Sequence, residues 1–134
     1  MRFYTLIEQT KGKKMELDDI FKKSATHLLK QGKTSSIPNL DGMCAYRGED
    51  GAMCAIGCLI DDSAYDFVIE GKSVDMPEVE MALRASGINF DDEDNLTFDL
   101  LQDLQYLHDE TDPKLWLHKL HLLSDRYQFK MVEV

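Results

Sequence analysis

The chain has 134 residues, enough to bury a core of its own, so it fits one domain that folds without a metal or disulfide. Its 43% hydrophobic and 30% charged residues exclude the disordered class, and 25 acidic against 15 basic side chains give a formal charge of −10. That field repels nucleic-acid backbones and anionic membranes, and no apolar run approaches the roughly 20 residues that span a bilayer.

Residues 2–8, Arg-Phe-Tyr-Thr-Leu-Ile-Glu, mix β-branched and aromatic side chains in the manner of a strand. Residues 127–134 have a matching character, so a short pair of terminal strands is expected, with edges that would suit a second copy of the chain. Lys11 to Lys14 is a basic linker, and 1–14 reads as an extension to a single domain over 15–134. The N-terminus lacks the charge and cleavage pattern of a secretory leader. Three cysteines without a disulfide-scaffold spacing suit reduced thiols, so a soluble intracellular protein is expected.

The first helix is predicted from about Met15–Asp18 to Gln31. Leu17, Ile20, Phe21, Ser24, Leu28 and Leu29 fall near one stripe, and Gly32 sits where a helix ends in the left-handed conformation. His27 borders that stripe as a packed or half-exposed histidine. Lys33 to Met43 reads as a loop and Cys44 to Ile60 as a hairpin. Asp61-Asp62-Ser63 would cap a short helix ending near Gly71. Asp75 is the expected cap of the next helix, with Pro77 in its first turn and Gly87 at its end. The acidic run 91–95 invites a calcium-loop reading. Leu96 and Gln102 stand where such a loop needs glycine and glutamate, so it reads as a solvated loop. Thr97 would cap a helix carrying Leu100, Leu101, Leu104 and Leu107 to about His108, and Asp112-Pro113 opens the last one, with Trp116, Leu120 and Leu123 inward. These two helices should form an antiparallel hairpin.

The expected fold class is therefore α+β: four to five helices packed around a central β-hairpin. A three-residue loop at Glu49-Asp50-Gly51 would put Gly48 opposite Ala52 and Tyr46 opposite Cys54, gathering Cys44, Cys54 and Cys58 on one face. A two-residue turn at Asp50-Gly51 would shift the register and separate Cys44 from the other thiols. Gathered thiols, with His108 as a distant fourth group, could hold zinc, although the spacing lacks the usual C-x2-C units. Cys54 paired with His108 would suit a small enzyme, but no nucleophile motif accompanies them. Buried cysteines acting as small hydrophobes explain Cys54 and Cys58 as simply.

Arg47, beside Tyr46 and flanked by Gly48 and Gly51, can offer a planar fork to a phosphate or carboxylate, and Tyr46 could stack on a base. Gly57 in an apolar run signals close approach of a ligand or of another backbone segment. The ligand-binding set is thus Tyr46, Arg47, Gly48, Gly51 and Gly57, against a structural alternative in which Arg47 pairs with Asp61 or Asp62. His118 and His121 share a helix face but have no third metal ligand in view. His108-Asp109 closes its helix, where an imidazolium suits the dipole, and becomes an acid–base candidate if it faces the hairpin.

The pattern Cys44-x-Tyr46-Arg47-Gly48-x-x-Gly51-x-x-Cys54-Ala55-Ile56-Gly57-Cys58-Leu59-Ile60 resembles the central motif of a family of small uncharacterised proteins of tailed phages and prophages. The resemblance takes in His27-Leu-Leu-Lys-Gln-Gly32 and Leu104-Gln-x-x-His108-Asp109, and covers most of Met15 to Tyr127. It implies a phage accessory protein in the host bacterial cytoplasm. With the residues read above, the expected function is non-catalytic: binding a host protein or a small anionic signalling molecule, to modulate host metabolism or defence. A cysteine-based zinc module and a small enzyme using Cys54 and His108 are the alternatives.

Overall fold

The apolar stripe of the first helix sets the core. In a computed structural model, which describes residues 15–37, 44–90 and 94–132, this helix is α1, Leu17–Gln31. It buries Ile20, Phe21, Ser24, Ala25 and Leu28. Glu16 and Asp19 cap its start reciprocally, and Gly32 ends it with φ of 68°. Three further helices are described: α2, Pro77–Ala85; α3, Leu96–Glu110; and α4, Trp116–Tyr127. α1 packs on α3, on α4 and on a 3-10 turn at Gly57–Leu59, so it joins the other two helices to the middle of the cysteine-bearing segment. Leu100, Leu101 and Leu104 of α3 and Trp116 and Leu120 of α4 are all fully buried. Burying each such side chain contributes about 1.5–3 kcal/mol, before the cost of ordering the chain.

Among the described residues there is no strand and no sheet, which corrects the α+β expectation to a helical fold. The tip of the expected hairpin does form. Arg47 bridges Met53, the Gly48 amide donates to Ala52 at 2.7 Å, and Asp50 and Gly51 both take positive φ. The pairing stops there because the chain after Met53 turns instead of extending. Cys58 N–H donates to the Cys54 carbonyl, Leu59 N–H to Ile56 and Ile60 N–H to Gly57. The Gly57 amide donates to Cys54 Sγ at 3.2 Å. A run of buried apolar residues carries no periodicity that separates a buried strand from a buried turn. The turn wins because it drives Ile56 and Leu59 together into the face of α1, where Ser24 Oγ also donates to the Ala55 carbonyl at 2.8 Å.

Other boundaries moved slightly. Residues 61–71 form turns and a 3-10 segment, Phe67–Ile69, capped by Asp66, in place of the short helix expected there. Met76 precedes α2 where Asp75 was expected, and Asn95, with φ of 55°, precedes α3 in place of Thr97. Asp112 does cap Pro113–Leu115, which runs directly into α4. Met15 bridges Ile88 in parallel fashion, tying the start of α1 to the end of α2. At the other end, Phe129 stacks on Tyr127 and against Phe21, so 129–132 cover the core without forming a strand. The extension 1–14, and with it the expected N-terminal strand and basic linker, lies outside the described residues, as do 38–43, 91–93 and 133–134. No helix among those described is long and apolar enough to cross a membrane.

Candidate functional site

The residues expected to bind a ligand at the hairpin tip are mostly occupied within the chain. Arg47 Nη1 donates to Asp62 Oδ1 at 2.7 Å and Nη2 to the Ile60 carbonyl at 2.5 Å, while the guanidinium lies 4.8 Å from the centre of the Tyr65 ring. Only Nε is left, and it is buried without a partner. The fork is therefore a brace between the tip and the 60–65 segment. A Cβ on Gly48 would overlap Ser35 and Ser36, and one on Gly57 would overlap the Tyr46 carbonyl. Both glycines admit neighbouring chain segments. Gly51, with φ of 76°, is exposed with open space around it.

Glu70 organises this region. Its carboxylate, almost wholly buried, accepts from Tyr46 N–H at 2.9 Å, from Arg47 N–H at 3.0 Å and from Tyr65 Oη at 2.6 Å. Burial, with Glu70 beside it, pushes the Tyr65 phenol above its ordinary range. The Tyr46 ring is buried and its hydroxyl donates to the Lys72 carbonyl at 2.6 Å, so segments 46–47 and 70–72 are stitched side by side.

The three thiols separate. Cys54 and Cys58 are core residues, Cys44 is half-buried, and all three are free. Burial drives the Cys54 thiol far up and pushes Cys58 up to about 12. Among the described residues, the only three metal-ligating side chains whose ligand atoms lie within 4.8 Å of one another are Cys44, His108 and Asp109. His118 and His121 are exposed on α4, and His27 Nε2 lies 2.9 Å from the Met53 carbonyl.

Cys44, His108 and Asp109 meet because Ser35 pins both partners. Ala45 N–H donates to the Ser35 carbonyl, and Ser35 N–H donates to His108 Nε2 at 3.1 Å. An imidazole that accepts at Nε2 carries its proton on Nδ1, and that proton faces Asp109 Oδ1 at 2.9 Å. His108 is fully buried and stacks on Trp116, with ring centres 5.6 Å apart. Both its nitrogens are thus committed. A metal on Nδ1 would move the proton to Nε2, directly against the Ser35 N–H, so this trio suits a hydrogen-bonded relay better than a zinc site. Burial first, and then the Asp109 carboxylate as acceptor, push the Cys44 thiol up to about 12, so it stays protonated at neutral pH. Cys54 and His108 are in no position to act as a catalytic pair exposed to substrate, since both are fully buried.

Beside this trio lies a cavity of about 700 Å³, lined by Cys44, Tyr46, residues 71–74 and the polar face of α3: Gln102, Asp103, Gln105, Tyr106, Asp109 and Glu110. Gln105 Nε2 holds Asp109 from one turn earlier at 3.1 Å, while its Oε1 is buried with no donor. Asp103 is engaged by Tyr127 Oη at 2.8 Å and Arg126 at 3.2 Å, and Lys72, the one basic residue of the cavity among the described residues, pairs with Glu78 at 3.0 Å. Of the residues expected from sequence, Cys44, Tyr46 and His108-Asp109 come to this place; Arg47, Gly48, Gly51 and Gly57 do not line it. Gln102, Gln105, Tyr106 and segment 71–74 were not anticipated. Spacings of three and four along α3 do put Gln102, Gln105, Tyr106 and Asp109 on one stripe, yet such a polar stripe reads from sequence as an ordinary solvated face. No family model, curated protein or solved structure matches this chain.

Proposed function

We propose that this chain is a non-catalytic binding protein that holds a small ligand in the cavity between Cys44–Tyr46, residues 71–74 and α3, and serves as an accessory protein in the phage setting its motif resembles. The observation that carries this is the cavity itself. It has the size of a small-molecule site, and its wall holds a carboxylate fixed in place by His108 and Gln105. Rigid support of this kind is what a binding group needs and what a solvated helix face lacks. The non-catalytic character is supported by protonated thiols and by a histidine with both nitrogens engaged.

Small molecules retained from a bacterial cell extract, released by denaturation and identified by mass spectrometry, test the proposal. Ser73→Trp, at an exposed wall position, places an indole in the cavity without touching the core. The native chain should retain a compound that Ser73→Trp does not. Equal retention by both forms, or none by either, would overturn the site, and conversion of the compound would overturn the non-catalytic assignment. A host protein acting as the ligand would instead co-purify stoichiometrically and be lost on the same substitution.

A second reading keeps the small anion. A shallower cavity of about 480 Å³ on α1 is lined by Lys22, Lys23, Lys30 and His27, with Asp19 at its edge. An anion bound there would be indifferent to Ser73→Trp and lost on Lys22→Ala with Lys30→Ala.

A further inference from the structure

The charge of the α3 cavity narrows its ligand. Among the described residues its one cation, Lys72, is paired with Glu78, and Asp103 is paired with Arg126. Asp109 and Glu110 remain, and among the described residues neither meets a lysine or arginine. The groups that hold Asp109 are neutral donors: the His108 Nδ1–H, the Gln105 amide and the Cys44 thiol. They fix the carboxylate without cancelling its charge. Tyr106 stands in the same wall with 69% of its surface exposed.

Resting on the cavity as the ligand site, we infer that its ligand is a small organic cation, an ammonium or guanidinium group carried on a compact, partly apolar body. Such a group satisfies Asp109 and Glu110 together, and an aromatic face beside the carboxylates attracts it further. An anion in the same place would face two carboxylates with no free cation among the described residues to offset them.

Thermal melting of the full chain, followed by the circular dichroism of its helices, provides the test. The probes are agmatine, spermidine and phenethylamine at millimolar concentration, against AMP, phosphate and citrate, all at matched ionic strength. At least one cation should raise the melting temperature and the anions should not. Glu110→Gln combined with Tyr106→Leu changes only exposed groups and should weaken that cation's apparent affinity about tenfold or more. Ser73→Trp should abolish its effect. If an anion stabilises the chain and Ser73→Trp removes that effect, the cavity stands and the cation inference falls. A cation effect that survives both substitutions comes from the general negative field and overturns the inference. So does the absence of a shift with every cation, whether or not the chain retains a compound from the extract.

Discussion

Replacing Glu70 with alanine should be the most informative single change for stability. Glu70 accepts from Tyr46 N–H, Arg47 N–H and Tyr65 Oη, and through them joins the 44–47 segment to the 65–72 segment. Removing the carboxylate leaves two backbone donors without partners, one of them on a buried residue. Each orphaned donor costs about 1–3 kcal/mol. Tyr65 is half-buried and recovers water, and removing a nearly buried carboxylate offsets part of the loss. The balance is a loss of about 2–4 kcal/mol. Urea unfolding followed by Trp116 fluorescence should then show a midpoint lowered by about 1–2 M. Glu70→Gln keeps one good acceptor and should fall between the two. Tyr65→Phe should cost less in the Glu70→Ala background than in the native chain, because the shared bond is already lost. A loss under about 1 kcal/mol for Glu70→Ala, or full additivity with Tyr65→Phe, would refute the account of Glu70 as the clamp of this region.

Four further outcomes are expected. Arg47→Ala should leave ligand retention in the cavity unchanged while costing about 1 kcal/mol, since its guanidinium braces Asp62 and Ile60; loss of retention would restore Arg47 as a binding group. Gly57→Ala should cost about 3 kcal/mol or more because its methyl meets the Tyr46 backbone, whereas Gly51→Ala, strained only by a φ of 76° in open space, should cost about 1 kcal/mol; equal midpoints in urea would contradict this. Stability should be complete below pH 9 and fall as pH rises toward 12, because Cys44 and Cys58 are raised from 9.0 to about 12 and folding favours their neutral forms. Urea midpoints across that range check the sign, and Cys58→Ala should flatten the decline. Finally, iodoacetamide should label Cys44 well before Cys54 and Cys58, since only Cys44 is not buried, with mass mapping of the native protein as the readout.

Much of the helical frame was legible because periodicity and capping are local. The stripe in α1, Gly32 at its end, Pro77 in the first turn of α2 and Asp112-Pro113 ahead of α4 each depend on residues within a turn or two of one another. The register at the Arg47–Met53 tip was equally local, set by the three residues between Gly48 and Ala52. The strand expected after Met53 was not, because every residue of 54–60 is buried and an unbroken apolar run fits either shape. What bent it was contact with α1, separated from it by more than twenty residues.

The candidate site divides in the same way. His108-Asp109 could be picked out as a pair from adjacent residues, and Cys44 as a thiol of the central motif. That Ser35 would supply the donor fixing the imidazole, from 73 positions away, follows only from the packing of its loop against α3. Arg47 shows the reverse. Sequence alone presents it as a free fork among glycines, but folding brings Asp62 and the Ile60 carbonyl to it and leaves the open space beside α3. Local chemistry determined which groups this chain owns; long-range packing decided which of them are spent on structure and which face a cavity.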